Sequence, residues 1–195
     1  MTGMGRVRLV LVLTFAAACL LPTSAAARTE GPFTAQIVDA ETGAPLAGVV
    51  VVAMYRKNTP GGIHPETTFY DLDETLTDEE GRFFLPAKSL PISTLRSHVV
   101  GPEFIIFKAG YKGWRFRGVE HGRHADPRVR DDQNEEGWRK FRSAGVVIEI
   151  DRARTRDDRS EALSHTGIFP WIPEGRAPRL RKARDDELSA IQMLR

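Results

Sequence analysis

Phe33-Thr34-Ala35-Gln36-Ile37-Val38-Asp39-Ala40-Glu41-Thr42-Gly43-Ala44-Pro45-Leu46-Ala47-Gly48-Val49 is the stretch that decides the fold. Phe33, Ala35 and Ile37 alternate with Thr34, Gln36 and Val38, the period of two expected of a strand with one face on a core. Asp39 to Gly43 then turns the chain, since an Asp carboxylate accepts nearby backbone N–H groups and Gly tolerates positive φ. Pro45 fixes its own φ, and Leu46 is placed to tuck beneath the turn as a plug. Gly48 opens Val49-Val50-Val51-Val52-Ala53-Met54-Tyr55, which is apolar throughout and rich in β-branched residues. A strand with no polar face belongs in the middle of a sheet, covered on both sides.

Working outward, residues 57–66 read as a loop rich in Pro and Gly, and Thr67 to Leu76 as a less regular strand. Thr77-Asp78-Glu79-Glu80-Gly81 is a tight turn that launches Arg82-Phe83-Phe84-Leu85, with Phe83 and Leu85 facing a core and Phe84 facing away. Pro86 stops that strand. Phe104-Ile105-Ile106-Phe107 is a compact buried strand, and Gly110 suits a turn in the Lys108–Tyr111 exit. Val146, Ile148 and Ile150 alternate with Val147 and Glu149 and form the expected closing strand. Short strands punctuated by Gly, Pro and Asp predict a β-sandwich rather than a βαβ fold.

The first 27 residues read as an export signal. Arg6 and Arg8 give a positive start, Leu9 to Leu21 an apolar run, and Ala25-Ala26-Ala27 a small-residue cleavage site. The run is shorter than the roughly 20 residues a membrane helix needs, and no later segment approaches that length. The expected product starts at Arg28, is periplasmic or extracellular, and has no transmembrane segment. An alternative makes Cys19, the only cysteine, the acylated residue of a lipoprotein, although Leu20 and Leu21 follow it where small or polar residues are usual. Cleavage after Ala27 leaves a chain without cysteine, so stability must come from an apolar core.

Removing 27 of the 195 residues leaves 168, enough for one domain with appendages. The leader takes two of the 28 Lys+Arg, so the remaining chain balances 26 basic against 26 acidic residues. That balance argues against nucleic acid as a partner, which would favour a basic face. Two regions depart from the strand pattern. Arg115 to Arg142 carries eight basic and six acidic residues with little apolar periodicity, and long insertions of this kind are commonly functional or disordered. Residues 152–195 form a charged tail, in which Ile168 to Pro173 is an apolar knot placed to dock on the sandwich. Asp185 to Leu194 reads as a short helix with an acidic first turn and with Leu188, Ile191 and Leu194 on one face.

The Phe33–Val49 stretch, then Thr77-Asp78-Glu79-Glu80-Gly81-Arg82-Phe83 and Phe107-Lys108-Ala109-Gly110-Tyr111, resembles the carboxypeptidase regulatory-like domain. The family pattern of an Asp, a Thr-Gly, a Pro-Leu and a Gly-Val, followed by Thr-Asp-x-x-Gly-x-Phe, is matched almost position for position. The resemblance covers about Phe33 to Tyr111, with Val146 to Asp151 as closing strand. It implies an all-β, transthyretin-like (prealbumin-like) Greek-key β-sandwich over residues 28–151; the inserted charged loop and the partly helical tail are where this chain departs from the family. It also implies a non-catalytic accessory or binding module; for an exported chain the expected partner is a protein or a polysaccharide of the cell envelope. Fold alone does not fix function.

The residues speak against two enzyme readings. No His is followed three positions later by Glu, the pair that zinc carboxypeptidases require. In the 5-hydroxyisourate hydrolases, which share the transthyretin-like sandwich, a His precedes the first turn and the chain ends in Tyr-Arg-Gly-Ser. Here those positions hold Gln36, which is no general base, and Gln192-Met193-Leu194-Arg195. A metal site is suggested only by His121, His124 and Asp126, which place two imidazoles and a carboxylate within six residues, with Arg123 opposing a cation between them. No cofactor is expected. Trp114, Phe116, Trp138 and Phe141 flank the insertion, where they would either anchor it by packing or offer aromatic platforms to a sugar.

Overall fold

The structure, a computed structural model, describes residues 27–61, 66–116, 145–168, 170 and 172–193. These residues form strands β1 (Ala27–Glu30), β2 (Phe33–Asp39), β3 (Val50–Thr59), β4 (Glu66–Leu76), β5 (Arg82–Leu85), β6 (Lys88–Pro91), β7 (His98–Phe107), β8 (Trp114–Phe116) and β9 (Val147–Ile150). Two helices follow, α1 (Arg156–His165) and α2 (Pro178–Met193). Among the described residues strand outweighs helix, and the strands are arranged as a three-stranded sheet β5-β2-β9, a four-stranded sheet β4-β3-β7-β8 and a two-stranded ribbon β1-β6.

The two larger sheets enclose one core. Phe33, Ala35 and Ile37 of β2, Phe83 and Leu85 of β5, and Ile148 and Ile150 of β9 meet Val51, Ala53 and Tyr55 of β3 and Phe104 and Ile106 of β7. Leu46 fills the space under the first turn at 8% exposure, while Phe84, on the outer face of β5, is 62% exposed. The period-two reading of these strands therefore describes their buried faces. β3 is central, pairing with β4 on one side and β7 on the other, and it continues past the expected end at Tyr55 to Thr59. β9 pairs with β2 in parallel, Gln36 opposite Val147 and Asp39 opposite Ile150.

The second face of β3 has a cover of a different kind. Val50, Val52 and Met54, with Leu72, Ile105 and Phe107, pack against Ala162 of α1, against Ile172 and Ala177, and against Leu180 of α2. The tail is thus a third layer, helices on a sheet on a sheet, where the sequence suggests a charged appendage. The terminal helix starts at Pro178, earlier than the expected Asp185, as suits a Pro in the first turn. Its buried face is Leu180, Glu187 and Ile191; Leu188, expected on that face, is 49% exposed. Helix α1 is an addition to the expected elements, and Thr155 with Asp158 forms a capping box at its start.

The Asp39–Val49 turn and the Thr77–Gly81 turn form one physical unit. Ile37 N–H donates to Gly81 O at 2.7 Å and Gly48 N–H to Thr77 O at 3.0 Å. The buried Thr77 hydroxyl accepts from Val49 N–H at 2.9 Å and donates to Leu46 O at 2.6 Å. Gly81 has φ +72, and a Cβ there would collide with Ile37 O and lie 2.9 Å from Leu46 N. Only Gly lets the second turn lie against the first.

Candidate functional site

Beside this clasp, Asp39 organises the end of the sandwich at which β8 begins and β9 finishes. One carboxylate oxygen accepts the N–H groups of Glu41 and Thr42, each at 3.0 Å, closing the turn. The other accepts the Tyr111 hydroxyl at 2.9 Å and Arg152 Nε at 2.7 Å. Burial pushes against ionisation, but the Tyr111 hydroxyl, the Thr42 N–H, Arg152 and the Glu41 N–H outweigh it and hold Asp39 at about 2. Tyr111 and Arg152 also pair through the backbone, so this carboxylate fixes where the chain runs towards β8 and where it leaves β9.

Between those two runs and α1 lies a cleft of about 410 Å³. The approach to β8 supplies Lys112, Gly113 and Trp114, and the end of β9 supplies Glu149, Ile150 and Asp151. Helix α1 contributes Asp158, Glu161, Ala162 and His165, a stripe at i, i+3, i+4 and i+7 that shares one helical face. Close approach of helix and strand depends on Gly113, because a Cβ there would collide with the Thr166 methyl and lie 2.9 Å from Ala162 O. The Trp114 indole is half-buried and stacks on Phe116, with centroids 5.3 Å apart and planes at 15°.

The charges around the cleft are partly satisfied locally. Lys112 Nζ lies 3.6 Å from Asp151, and His165 Nε2 lies 3.9 Å from Glu161. Asp158 accepts the N–H groups of Thr155 at 3.0 Å and Arg154 at 3.2 Å. The backbone N–H of Thr155, foremost, and then its hydroxyl hold Asp158 below the usual carboxylate range. Glu149 stands exposed on β9, next to Ile150 at the cleft floor. The cleft thus brings together Trp114, four acidic residues and the small residues Gly113 and Ala162.

Of the residues singled out from sequence, Trp114 lines this cleft. Phe116 does not offer a platform: at 3% exposure it belongs to the core between the sheets, because β8 pairs with β7 and turns its ring inward. Trp138, His121, His124 and Asp126 lie outside the described residues. Among the described residues, no group of three or more His, Cys, Asp or Glu is placed to hold a metal ion, and no helix is long and apolar enough to cross a membrane. Gln36 serves the sheet: its side-chain amide donates to Glu80 O at 2.8 Å. Asp158, Glu161 and His165 were missed in the sequence. Their signal was the capping box followed by one-face spacing, hidden in a stretch of mixed charge.

No protein-family model, curated protein or solved structure matches the chain.

Proposed function

We propose that this chain is an exported, non-catalytic module with a carboxypeptidase regulatory-like, transthyretin-like sandwich, binding a protein or glycan partner in the cell envelope. The observation that carries the binding reading is the position of Trp114. It lines a cleft of about 410 Å³ between the start of β8, the end of β9 and α1, among residues that hydrogen-bond and bear charge. Binding sites tend to sit on loops and edges held by a rigid scaffold. The family reading is supported by what its motif residues do here: Asp39 closes a turn, Leu46 plugs it, and Thr77 and Gly81 clasp it. Export is supported by the sequence of residues 1–27.

The test is affinity capture from envelope extracts with the full chain and with Trp114→Ala, each checked for an unchanged melting temperature. Capture of one partner that the variant loses supports the reading. Equal capture by both proteins moves the site elsewhere. Turnover of a small molecule that stops on metal chelation would replace it with an enzyme site at His121, His124 and Asp126.

A further inference from the structure

We infer that residues 176–180 act as an edge guard: they occupy the outer side of β4 and keep a second copy of this chain from adding its own β4 to the four-stranded sheet. An open strand edge offers a row of backbone N–H and C=O groups on which another strand can pair. β4 is the outermost strand of its sheet and, with 11 residues, the longest strand among the described residues. The edge strands β5, β8 and β9 have four, three and four residues, too short to template much pairing. A bulge leaves Tyr70 without a partner on β3 and breaks the regular edge there. Residues 71–76 are the regular remainder, and the guard lies on them.

Side chains take the backbone groups of this stretch that a neighbouring strand would use. Leu72 N–H donates to Asp71 Oδ1 at 2.9 Å, and Leu72 O accepts from Arg176 Nη2 at 3.1 Å. The same guanidinium lies 2.6 Å from Asp71 Oδ1 and 5.1 Å from the centre of the Phe69 ring, so it is fixed in place. Two residues along, Glu74 O accepts from Arg179 Nη1 at 3.2 Å. The spacing of two matters, because alternate residues of an edge strand turn their backbone groups outward. Glu74 anchors the guard in return. Its carboxylate accepts Arg179 N–H at 3.0 Å and Leu180 N–H at 2.7 Å, at the positive end of α2. A second copy is the strand donor excluded, since it carries the same edge and two identical edges can pair about a two-fold axis. β4 holds four acidic residues, Glu66, Asp71, Asp73 and Glu74, and no basic one, so facing copies also repel. The guard therefore matters most where salt screens that repulsion.

The experiment compares the full chain with Arg176→Ala/Arg179→Ala by light scattering, at about 50 and about 500 mM salt. Amide exchange across β4 is read in the same samples. A charge-matched control, Arg82→Ala/Arg96→Ala, loses two exposed cations away from β4. The expected result is a parent and a control that stay monomeric at both salts. Arg176→Ala/Arg179→Ala should stay monomeric at the lower salt, approach twice that mass at the higher, and gain amide protection in β4 as it does so. A guard variant that stays monomeric at the higher salt with an unchanged melting temperature overturns the inference. So does association without new protection in β4, equal association of the control, or a parent that pairs through β4 itself. Should the guard variant melt below the working temperature, Arg179→Ala, at an exposed position, takes its place on the same terms.

Discussion

The hydroxyl of Thr77 donates to the carbonyl of Leu46 across 31 residues of sequence, at 2.6 Å and out of contact with water. The same oxygen accepts from Val49 N–H, so one side chain satisfies two buried backbone groups at the junction of both turns. Thr77→Val keeps the shape and strands both partners. The expected loss is about 1–3 kcal/mol in urea unfolding, the cost of leaving buried polar groups unmade. Thr77→Ser should recover most of it. Equal stability of Thr77→Val and the parent would show that the two turns are held together by other contacts.

Gly81 makes the same junction sterically possible. Gly81→Ala places a methyl group against the Ile37 carbonyl oxygen in a backbone conformation, φ +72, that L-residues disfavour. A loss of at least about 2 kcal/mol is expected, because the left-handed conformation and the backbone collision add. Gly43→Ala, where a Cβ meets nothing within 4 Å, should cost only the conformational part. Chemical denaturation of the two variants side by side separates collision from conformation.

Asp39 gives the fold an acid limb. Its carboxyl falls from an ordinary 3.8 to about 2 in the folded protein. The folded state therefore prefers the ionised form, and this contribution is complete above pH 3.8 and lost as pH falls towards 2. Asp71 and Asp158 are lowered too and add to the same limb. Asp39→Asn should be less stable than the parent near neutral pH, and its melting temperature should fall less steeply between about pH 5 and about pH 2. Parallel slopes over that range would remove Asp39 from the acid response.

The helical layer should be indispensable. Deleting residues 152–195 uncovers Val50, Val52, Met54, Ile105 and Phe107, all buried in the full chain, and removes Arg152 from Asp39. An exposed apolar face of that kind drives association, so the shortened chain should bind a hydrophobic dye and elute as aggregate. A monomeric, dye-silent fragment with a cooperative melt would show the two sheets to be self-sufficient. A milder probe is Glu187→Ala. This removes the acceptor of Gly110 N–H at 3.1 Å and the partner of Arg159 at 3.5 Å, at an expected cost of about 1–3 kcal/mol.

The strands around Phe33–Val49 and Thr77–Leu85 were legible because each carries both signals at once, alternation along the strand and a turn residue at its end. β1 and β6 were not: Ala-Arg-Thr-Glu and Lys-Ser-Leu-Pro are short and polar, and only Leu90 of the ribbon is fully buried. Helix α1 escaped for the opposite reason. It buries only Ala162, so no apolar period runs along it, and its capping box is the one local mark of its start. In α2 the buried stripe contains a carboxylate, Glu187, which a search for apolar spacing passes over. The cleft inherits this unevenness. Trp114 stood out as an aromatic at the edge of the insertion, whereas its facing wall belongs to the helix that hydrophobic pattern could not reveal.

β2 lies beside β9 rather than beside a neighbour in sequence, with Gln36 registered on Val147. A nascent chain therefore cannot finish its three-stranded sheet until β9 has been synthesised, and until then β2 has one edge unpaired. Such distant closure makes assembly slow and late.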